Sequence, residues 1–582
     1  MVSKSKILVI KSINLIRKFG ILYYLFIAYD EFRKNKFELF KHPTINYYNS
    51  IGVRNEESNS VYTRNLNYYE REITKNSSEN QETKFSLKPK FSFVIIHEKD
   101  NLDDILLTIK SIEEQIYNQH EIIILRTDDK LENLNLEKNN EKITYISKIN
   151  EIEKNFHGDF ICFFEAGNQL SKNALFKITE FLNKKIDTEI LYTDNDHLDN
   201  NGKKIQPFFK PDWSPYLFKN MDYLSPLCII NKEIFKKLSL DNIEISQLGH
   251  EILVRATQIS EKISHIKIPL STQNLKSEPR NFYTKKIETT VDDFYLKQSR
   301  KIKLKKQNEP LVSIIIPTKN NYKLLKKCIS SIKRTTSYKK YEIIVVDNNS
   351  TDDEVKNYYK SLPYEVFNYE DSFNFSKISN LGAAHAKGEL FLFLNDDTEI
   401  LNNDWLDELV TLCTQKDVGA VGPKLVLNDD TIQHAGISFL DTGAGFHPFQ
   451  NIYAGSHYMF NLLNLIRECS GVTGACLITK KELFNKVNGF DENFDLYYGD
   501  ADFCLKLIDE GYKILYTPST KVLHDGSSSI KDIIKQDTLS EHKSHFTVEN
   551  HSHFISKWPH LKHGDPFYSS NLGWDYTIKS IE

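Results

Sequence analysis

From Phe91 onward the chain alternates short apolar runs with amphipathic stretches. SFVIIHEKDNLDDILLTIKSIEEQIYNQHEIIIL (Ser92 to Leu125) predicts a strand, a loop, an amphipathic helix and a second strand, a βαβ unit. At Val312 the pattern returns as VSIIIPTKNNYKLLKKCISSIKRTTSYKKYEIIVVDNNS. Val94 matches Ile314, Ile112 matches Ile332 and, after a one-residue slip, Glu121 matches Glu342. GDFICFFEAGN (158–168) likewise repeats as GELFLFLNDDT (388–398). The five apolar residues Leu390 to Leu394 predict a strand buried on both faces. A repeat of this size predicts two copies of one α/β domain, 89–275 and 309–540. A Lys-rich helical linker (276–308, most basic over Lys285 to Lys306) joins them, and a tail (541–582) is expected to pack on both. Residues 1–88 read as a helical extension followed by a polar connector.

Polar residues at the strand ends carry the candidate chemistry. Leu390 to Leu394 run into Asn395-Asp396-Asp397, and in open α/β sheets ligands bind at that end. A carboxylate there suits a hard divalent cation, which in turn suits a diphosphate. An ordinary Asp-rich turn would look the same in isolation. The first copy separates the readings: it has Glu165-Ala166-Gly167 for the acidic trio and Arg126 for Asp347. Asp500 and Asp502 open a helix whose apolar stripe is Phe503, Leu505, Leu507 and Ile508. Carboxylates there cap the helix dipole, and one facing a cleft can also serve as a general base. His524 follows the strand ILYTP, which raises it above an isolated histidine.

Composition narrows the field. The chain has 582 residues, 40% hydrophobic and 26% charged, enough for large cores. A net charge of -4 gives no electrostatic basis for nucleic-acid binding. Seven cysteines without paired spacing, among them Cys162, Cys328 and Cys504, fit buried reduced thiols of a cytoplasmic protein. No GxGxxG follows Ile316 or Val346, against a nicotinamide-linked dehydrogenase. The apolar segment Ile7 to Tyr29 has basic flanks, and its longest uncharged run, Phe19 to Tyr29, is too short to span a bilayer. It reads either as an amphipathic helix on an anionic membrane surface or as a helix on the protein's own body.

With these residues assembled, the second copy resembles the family 2 inverting glycosyltransferases. The resemblance runs through IIIPTKN, VDNNSTD, FNFSKISNLGAAHAKGE, LNDDTE, IQHAGI, TGACL, GFDENF, DADFCLKL and His524. The layout is similar to the bacterial two-domain subgroup of O-antigen and rhamnan surface-polysaccharide synthesis. YTDNDHLDNNGKKIQPFFKPDWSPYLF (Tyr192 to Phe218) and DPFYSSNL (Asp565 to Leu572) contribute to that similarity. The resemblance implies two tandem GT-A domains, Rossmann-like with a mostly parallel sheet. It implies transfer of a sugar from a nucleoside-diphosphate sugar to a growing glycan or polyprenyl-diphosphate-linked acceptor. Asp500 matches the catalytic base. Pro317, Thr318, Asn320, Asp347, Asn395 and Asp396 match the nucleotide-sugar site, and Gly474, Ala475 and Asp502 the acceptor site. Asp397 and His524 match the ligands of Mg²⁺ or Mn²⁺. Asn395 replaces a frequent acid, and Gly499 stands where a Glu usually precedes the base. Within this trio Asp396 reads either as part of the nucleotide-sugar site or as only a solvated turn residue. The first copy, with Gly167 and Gly249-His250-Glu251 at the matching places, is expected to be non-catalytic, although Glu165, Asp194 and Asp196 leave an active first domain open. A non-catalytic glycan-binding scaffold is the other alternative. A processive synthase would carry QxxRW, which this chain lacks. The resemblance also implies a place on the cytoplasmic face of the inner membrane, reached through the N-terminal helix.

Overall fold

Each apolar run forms a strand whose side chains alternate between two layers of core. Leu390, Leu392 and Leu394 join one apolar cluster with Trp405 and Leu409; Phe391 and Phe393 join another with Phe484 and Phe503. With helices on both faces, none of the five is more than 3% exposed. The computed structural model describes residues 61–63, 65–66, 85–97, 102–126, 142–198, 202–274, 309–457, 459–524, 545–574, 576 and 578–579. The expected N-terminal helix and the Lys285 to Lys306 linker lie outside the described residues.

The first sheet comprises β1 (Phe91–His97), β2 (His120–Arg126), β3 (Ile143–Ile146), β4 (Phe160–Glu165), β5 (Gln169–Leu170), β6 (Ile190–Leu198), β7 (Lys204–Phe208), β8 (Cys228–Asn231) and β9 (Ile263–Gln273). Their order is β3-β2-β1-β4-β8-β6-β9-β5, with β7 on β6. The second sheet comprises β10 (Val312–Thr318), β11 (Tyr341–Asp347), β12 (Glu365–Asn368), β13 (Leu390–Leu394), β14 (Thr398–Ile400), β15 (Val418–Val426) and β16 (Ile432–His434). A separate ribbon of β17 (Ser438–Phe439) and β18 (Gly445–Phe446) intervenes before β19 (Arg467–Glu468), β20 (Cys476–Lys480) and β21 (Lys513–His524) rejoin that sheet. Its order is β12-β11-β10-β13-β20-β15-β21-β14, with β16 on β15 and β19 on β21. Place for place, the two orders agree. In both, four parallel strands adjoin one antiparallel strand (β8 or β20), which is followed by a parallel pair. The internal repeat is thus a repeat of topology.

The helices that place the second site are α1 (Tyr322–Thr335), α2 (Phe375–His385), α3 (Trp405–Cys413) and α4 (Gly499–Asp509). α1 buries Leu325, Cys328, Ile329 and Ile332, spaced to make one helical stripe. α2 lies so close to the opposite face that a Cβ on Gly382 would sit 2.4 Å from Ile315 Cγ2 and 3.0 Å from Val346 Cγ2. That close approach holds the ends of β10 and β11 in place.

The two units share a buried seam. Glu468, only 3% exposed, accepts hydrogen bonds from the Ser214 hydroxyl and from the Tyr216 backbone N–H at 3.0 Å. The Tyr216 hydroxyl donates to Asp417 at 2.9 Å, and Phe460 stacks on Phe208 with ring centroids 4.0 Å apart. The C-terminal residues wrap both units. Pro566 O accepts from Asp212 N at 2.7 Å, while Phe554, Trp558 and Leu561 pack with Phe439, Phe494, Ala501 and Leu505. Asp565 is 1% exposed and accepts from Phe439 N at 2.8 Å and Phe567 N at 2.7 Å. All seven cysteines are buried with free thiols, and among the described residues no helix is long and apolar enough to cross a membrane.

Gly382→Ala is expected to destabilise the chain by about 1–3 kcal/mol through overpacking; denaturant unfolding measures it, and unchanged stability would contradict the close helix-sheet approach. Asp565 gives a pH test. Burial pushes its carboxyl from 3.8 up to about 6, so between those values the folded chain holds a proton that the unfolded chain has released. Its contribution is therefore present on the acid side and is lost as pH rises through that window. Asp565→Asn is expected to remove this slope from unfolding free energies measured against pH, whatever it does to absolute stability.

Candidate active site

The site forms where β10, β11, β13 and β21 end together. β14 pairs antiparallel with β21, setting Thr398 opposite His524. This register carries the last residue of β21 to the acidic end of β13, where His524 Nε2 lies 3.0 Å from Asp397 Oδ1 and 3.4 Å from Asn395 Nδ2. Both side chains are under one-tenth exposed. The Asp397–His524 contact lacks hydrogen-bond geometry: Asp397 Oδ1 and His524 Nδ1 are buried and make no hydrogen bond. Unsatisfied buried donors and acceptors are costly, so this pair fits a ligand that the protein alone does not supply. A carboxylate beside an imidazole offers two donors to Mg²⁺ or Mn²⁺, leaving the other positions to diphosphate and water oxygens. Among the described residues no group of three or more His, Cys, Asp and Glu side chains gathers as a complete metal cage.

Asp396 is not a solvated turn residue. It is 7% exposed and accepts from the Thr318 hydroxyl at 2.6 Å, tying β13 to β10. Burial pushes its carboxyl up to about 7; Asp397 adds to the rise, while Thr318, Asn321 and His524 oppose it. The two acids occupy the turn between β13 and β14, closed by Thr398 N donating to Asn395 O at 3.3 Å, and the Thr318 hydroxyl draws Asp396 inward while Asp397 meets His524. Asp347, at the end of β11, accepts from the Ser350 N–H and hydroxyl and from the Tyr359 hydroxyl at 2.9 Å. Its carboxylate is therefore already held by protein donors. Asn320, in the left-handed region at φ 51°, accepts from Thr351 N at 2.7 Å and clasps the loop after β11. Pro317 and Thr318 form the last turn of β10, with Thr318 O accepting from Asn348 N at 2.9 Å.

Asp500 sits in the first turn of α4. Its Oδ2 accepts from Gly474 N at 2.9 Å and its Oδ1 from Ala501 N at 2.8 Å. A Cβ on Gly474 would lie 3.0 Å from the Phe375 ring, so glycine lets this backbone N–H reach the carboxylate. The next residue, Ala475, uses its carbonyl to accept from Asn395 N at 3.0 Å. One short segment thus spans the interval from Asp500 to the acidic end of β13. Gly499 has a packing cause as well: a Cβ there would stand 2.9 Å from Ser376 Oγ.

Asp502 corrects the expected acceptor contact. It is fully buried, accepting from Trp558 Nε1 at 2.9 Å with Lys557 Nζ at 2.7 Å and Lys506 Nζ at 3.5 Å. It anchors the C-terminal residues, and its neighbour Asp500 alone faces the Gly474 loop.

The first unit lacks this arrangement. Gln169 pairs with Thr272 as Glu399 pairs with Leu523, so Gly167 and Gln273 occupy the places of Asp397 and His524. A Cβ on Gly167 would meet the Asn274 amide at 2.9 Å, so Asn274 fills that space. Asp194 is held by His265 Nε2 at 2.9 Å and Lys210 N at 2.8 Å, and Asp196 by the Tyr62 hydroxyl at 2.6 Å. His250, at the helix start corresponding to Asp500, lies 3.4 Å from Asp222. Ser350 and Tyr359, which hold Asp347, and His434 and His447, near Asp500, were not singled out from the sequence. Ser350 follows Asp347 closely enough to be readable as a turn; Tyr359 reaches back from the helix Asp353–Ser361, while His434 ends β16 and His447 follows β18.

Residues 313–487 match the family described as Glycosyl transferase family 2, a segment that ends before Asp500 and His524. The chain is 30% identical over 443 residues to O-antigen biosynthesis protein RfbC of Myxococcus xanthus, across 71% of this chain and 34% of that protein. It is 29% identical over 448 residues to uncharacterized protein y4gI of Sinorhizobium fredii, across 71% of this chain and 48% of that protein. It is 41% identical over 100 residues to the GalNAc(5)-diNAcBac-PP-undecaprenol beta-1,3-glucosyltransferase of Campylobacter jejuni, across 16% of this chain and 31% of that protein. The chain thus spans less than half the length of each of these relatives. The unit built on the second sheet carries a family 2 glycosyltransferase domain.

Proposed function

We propose that the second unit transfers a sugar, with inversion, from a nucleoside-diphosphate sugar to a growing cell-surface glycan. The observation that carries this reading is the buried Asp397–His524 pair, whose Asp397 Oδ1 and His524 Nδ1 make no hydrogen bond within the protein, joined through Asn395, Ala475 and Gly474 to a carboxylate at a helix start. Asp500 accepts the proton of the acceptor hydroxyl as that oxygen attacks the anomeric carbon. The bond from that carbon to the phosphate oxygen breaks, and the nucleoside diphosphate leaves with the electron pair. A divalent cation, Mg²⁺ or Mn²⁺, held by Asp397 and His524 would neutralise the charge that develops on the diphosphate. The Gly474 and Ala501 N–H groups orient the Asp500 carboxylate. Asp347, Asn320, Pro317 and Thr318 shape the nucleotide loop, Asn395 and Asp396 fix the end of β13, and Gly474 and Ala475 wall the acceptor side.

The first unit supports the second without catalysing transfer. Gly167 and Gln273 supply no metal pair, and Asn274 occupies the space. A polyprenyl-diphosphate-linked acceptor at the cytoplasmic face of the inner membrane fits this reading. The Myxococcus relative is named for O-antigen biosynthesis, and the Campylobacter relative is named for transfer to a PP-undecaprenol glycan. The donor panel includes dTDP-rhamnose among the common nucleotide sugars.

The full-length chain, incubated with this panel and Mg²⁺ or Mn²⁺, is expected to turn over one donor in a metal-dependent way. No response to any donor would favour a glycan-binding scaffold. Asp500→Asn is expected to lower transfer by roughly 10²-fold to 10⁴-fold while donor binding, measured by titration calorimetry, stays near wild type. Wild-type turnover in that variant would exclude Asp500 as the base.

A further inference from the structure

A strand-end histidine and a loop histidine meet next to the Thr473-Gly474 segment that holds Asp500. His434 closes β16 and is fully buried; His447 follows β18 and is half-buried. Their Nδ1 atoms are 2.8 Å apart. On the other side of its ring, His434 Nε2 faces two backbone donors, Gly436 N at 3.2 Å and Thr473 N at 3.4 Å.

These contacts fix where the protons are. Backbone N–H groups only donate, so His434 Nε2 is an acceptor and carries no hydrogen. The neutral ring then has its hydrogen on Nδ1 and donates it to His447 Nδ1. His447 is left with its hydrogen on Nε2. Charging either ring would set two N–H groups against each other, and burial favours the neutral form of both; Asp500 opposes that effect at His447, whereas His524 reinforces it. The Nε2 of His447 has no hydrogen-bond partner among the described residues and is not sealed from solvent. His447 reaches the Asp500 carboxylate through a short chain of contacts, His434, Thr473 and Gly474, and both Asp500 and His524 act on it electrostatically. Thr473, which contacts His434, immediately precedes Gly474, which holds Asp500.

We propose that His447 is a substrate-contacting residue: its Nε2–H donates to an oxygen of the nucleotide sugar bound between Asp500 and His524, and His434 is the positioning residue that sets its tautomer. This rests on the transferase reading above. A donor whose proton is fixed in advance needs no reorganisation during reaction, which is the condition under which such hydrogen bonds contribute most. The same pair explains why IQHAGI contributes a histidine that is neither base nor metal ligand: His434 acts through its neighbour and through the Thr473 loop.

The test combines kinetics with a readout independent of turnover. His447→Ala is expected to lower kcat/KM for the productive donor about tenfold to a hundredfold, measured at a temperature where circular dichroism shows the variant folded. His434→Gln is expected to fall in the same direction, and the double variant to be little worse than His447→Ala, because the two act as one unit. Binding of the bare nucleoside diphosphate with Mg²⁺ separates the possible oxygens. Weakening in His447→Ala assigns the contact to the diphosphate, and unchanged binding with reduced kcat/KM assigns it to the sugar. In ¹⁵N-histidine spectra of the full-length chain, with peaks assigned from the two variants, His447 is expected to carry its proton on Nε2 and His434 on Nδ1. The opposite tautomers, or wild-type kcat/KM in His447→Ala, would overturn the proposal. If no donor is turned over at all, the transferase reading fails, and the contact assignment falls with it whatever the tautomers are.

Discussion

The antiparallel register of β14 against β21 is the constraint on which the candidate site depends. Thr398 opposite His524 leaves Asp397 next to that histidine. A slip of one residue would turn His524 to the other face of the sheet and separate the pair. The register is held by burial on both sides: Thr398, Ile400 and Val522 are each 2% or less exposed. Hydrophobic packing of an edge pair therefore sets the position of two polar groups that have little intrinsic reason to lie together.

A second constraint is the Thr473-Gly474-Ala475 segment, which connects groups from three elements. Its carbonyl and N–H groups meet Asn395, Asp500 and His434. Backbone donors and acceptors are rigid and uncharged, so they can fix the spacing between the proposed base and the proposed metal pair without adding charge of their own. The unoccupied hydrogen-bonding capacity at Asp397 and His524 is then a local cost offset by a large, well-packed domain. The C-terminal residues contribute to this support. Trp558 and Lys557 hold Asp502 Oδ1 two residues from Asp500, so the helix carrying Asp500 is fixed at its start by a distant part of the chain.

Much of the fold was legible because its signal is local. The five-residue apolar run at Leu390 reported a strand buried on both faces, and the internal repeat reported a topology that the two sheets share along their main strand order. Asp347 and the acidic trio were legible as strand ends. Within the trio, sequence does not say which acid turns inward; Thr318, on a different strand, decides it by bonding Asp396. Asp502 was misassigned for the same reason, since its partners Trp558 and Lys557 lie far along the chain. His434 ends a three-residue strand and His447 follows a two-residue one, both too short to show periodicity, and only the fold brings their rings together. The difference between the two units was legible at Gly167, but the role of Gln273 in place of His524 emerges only from strand register.

The central claim is that one chain holds one nucleotide site, on the second sheet, closed by Asp397 and His524. Counting sites by titration calorimetry of the full-length chain with the productive donor's nucleoside diphosphate and Mg²⁺ tests it most directly. The account predicts one site per chain and loss of that site in Asp397→Ala. Two sites per chain, or a single site that survives Asp397→Ala, would contradict it.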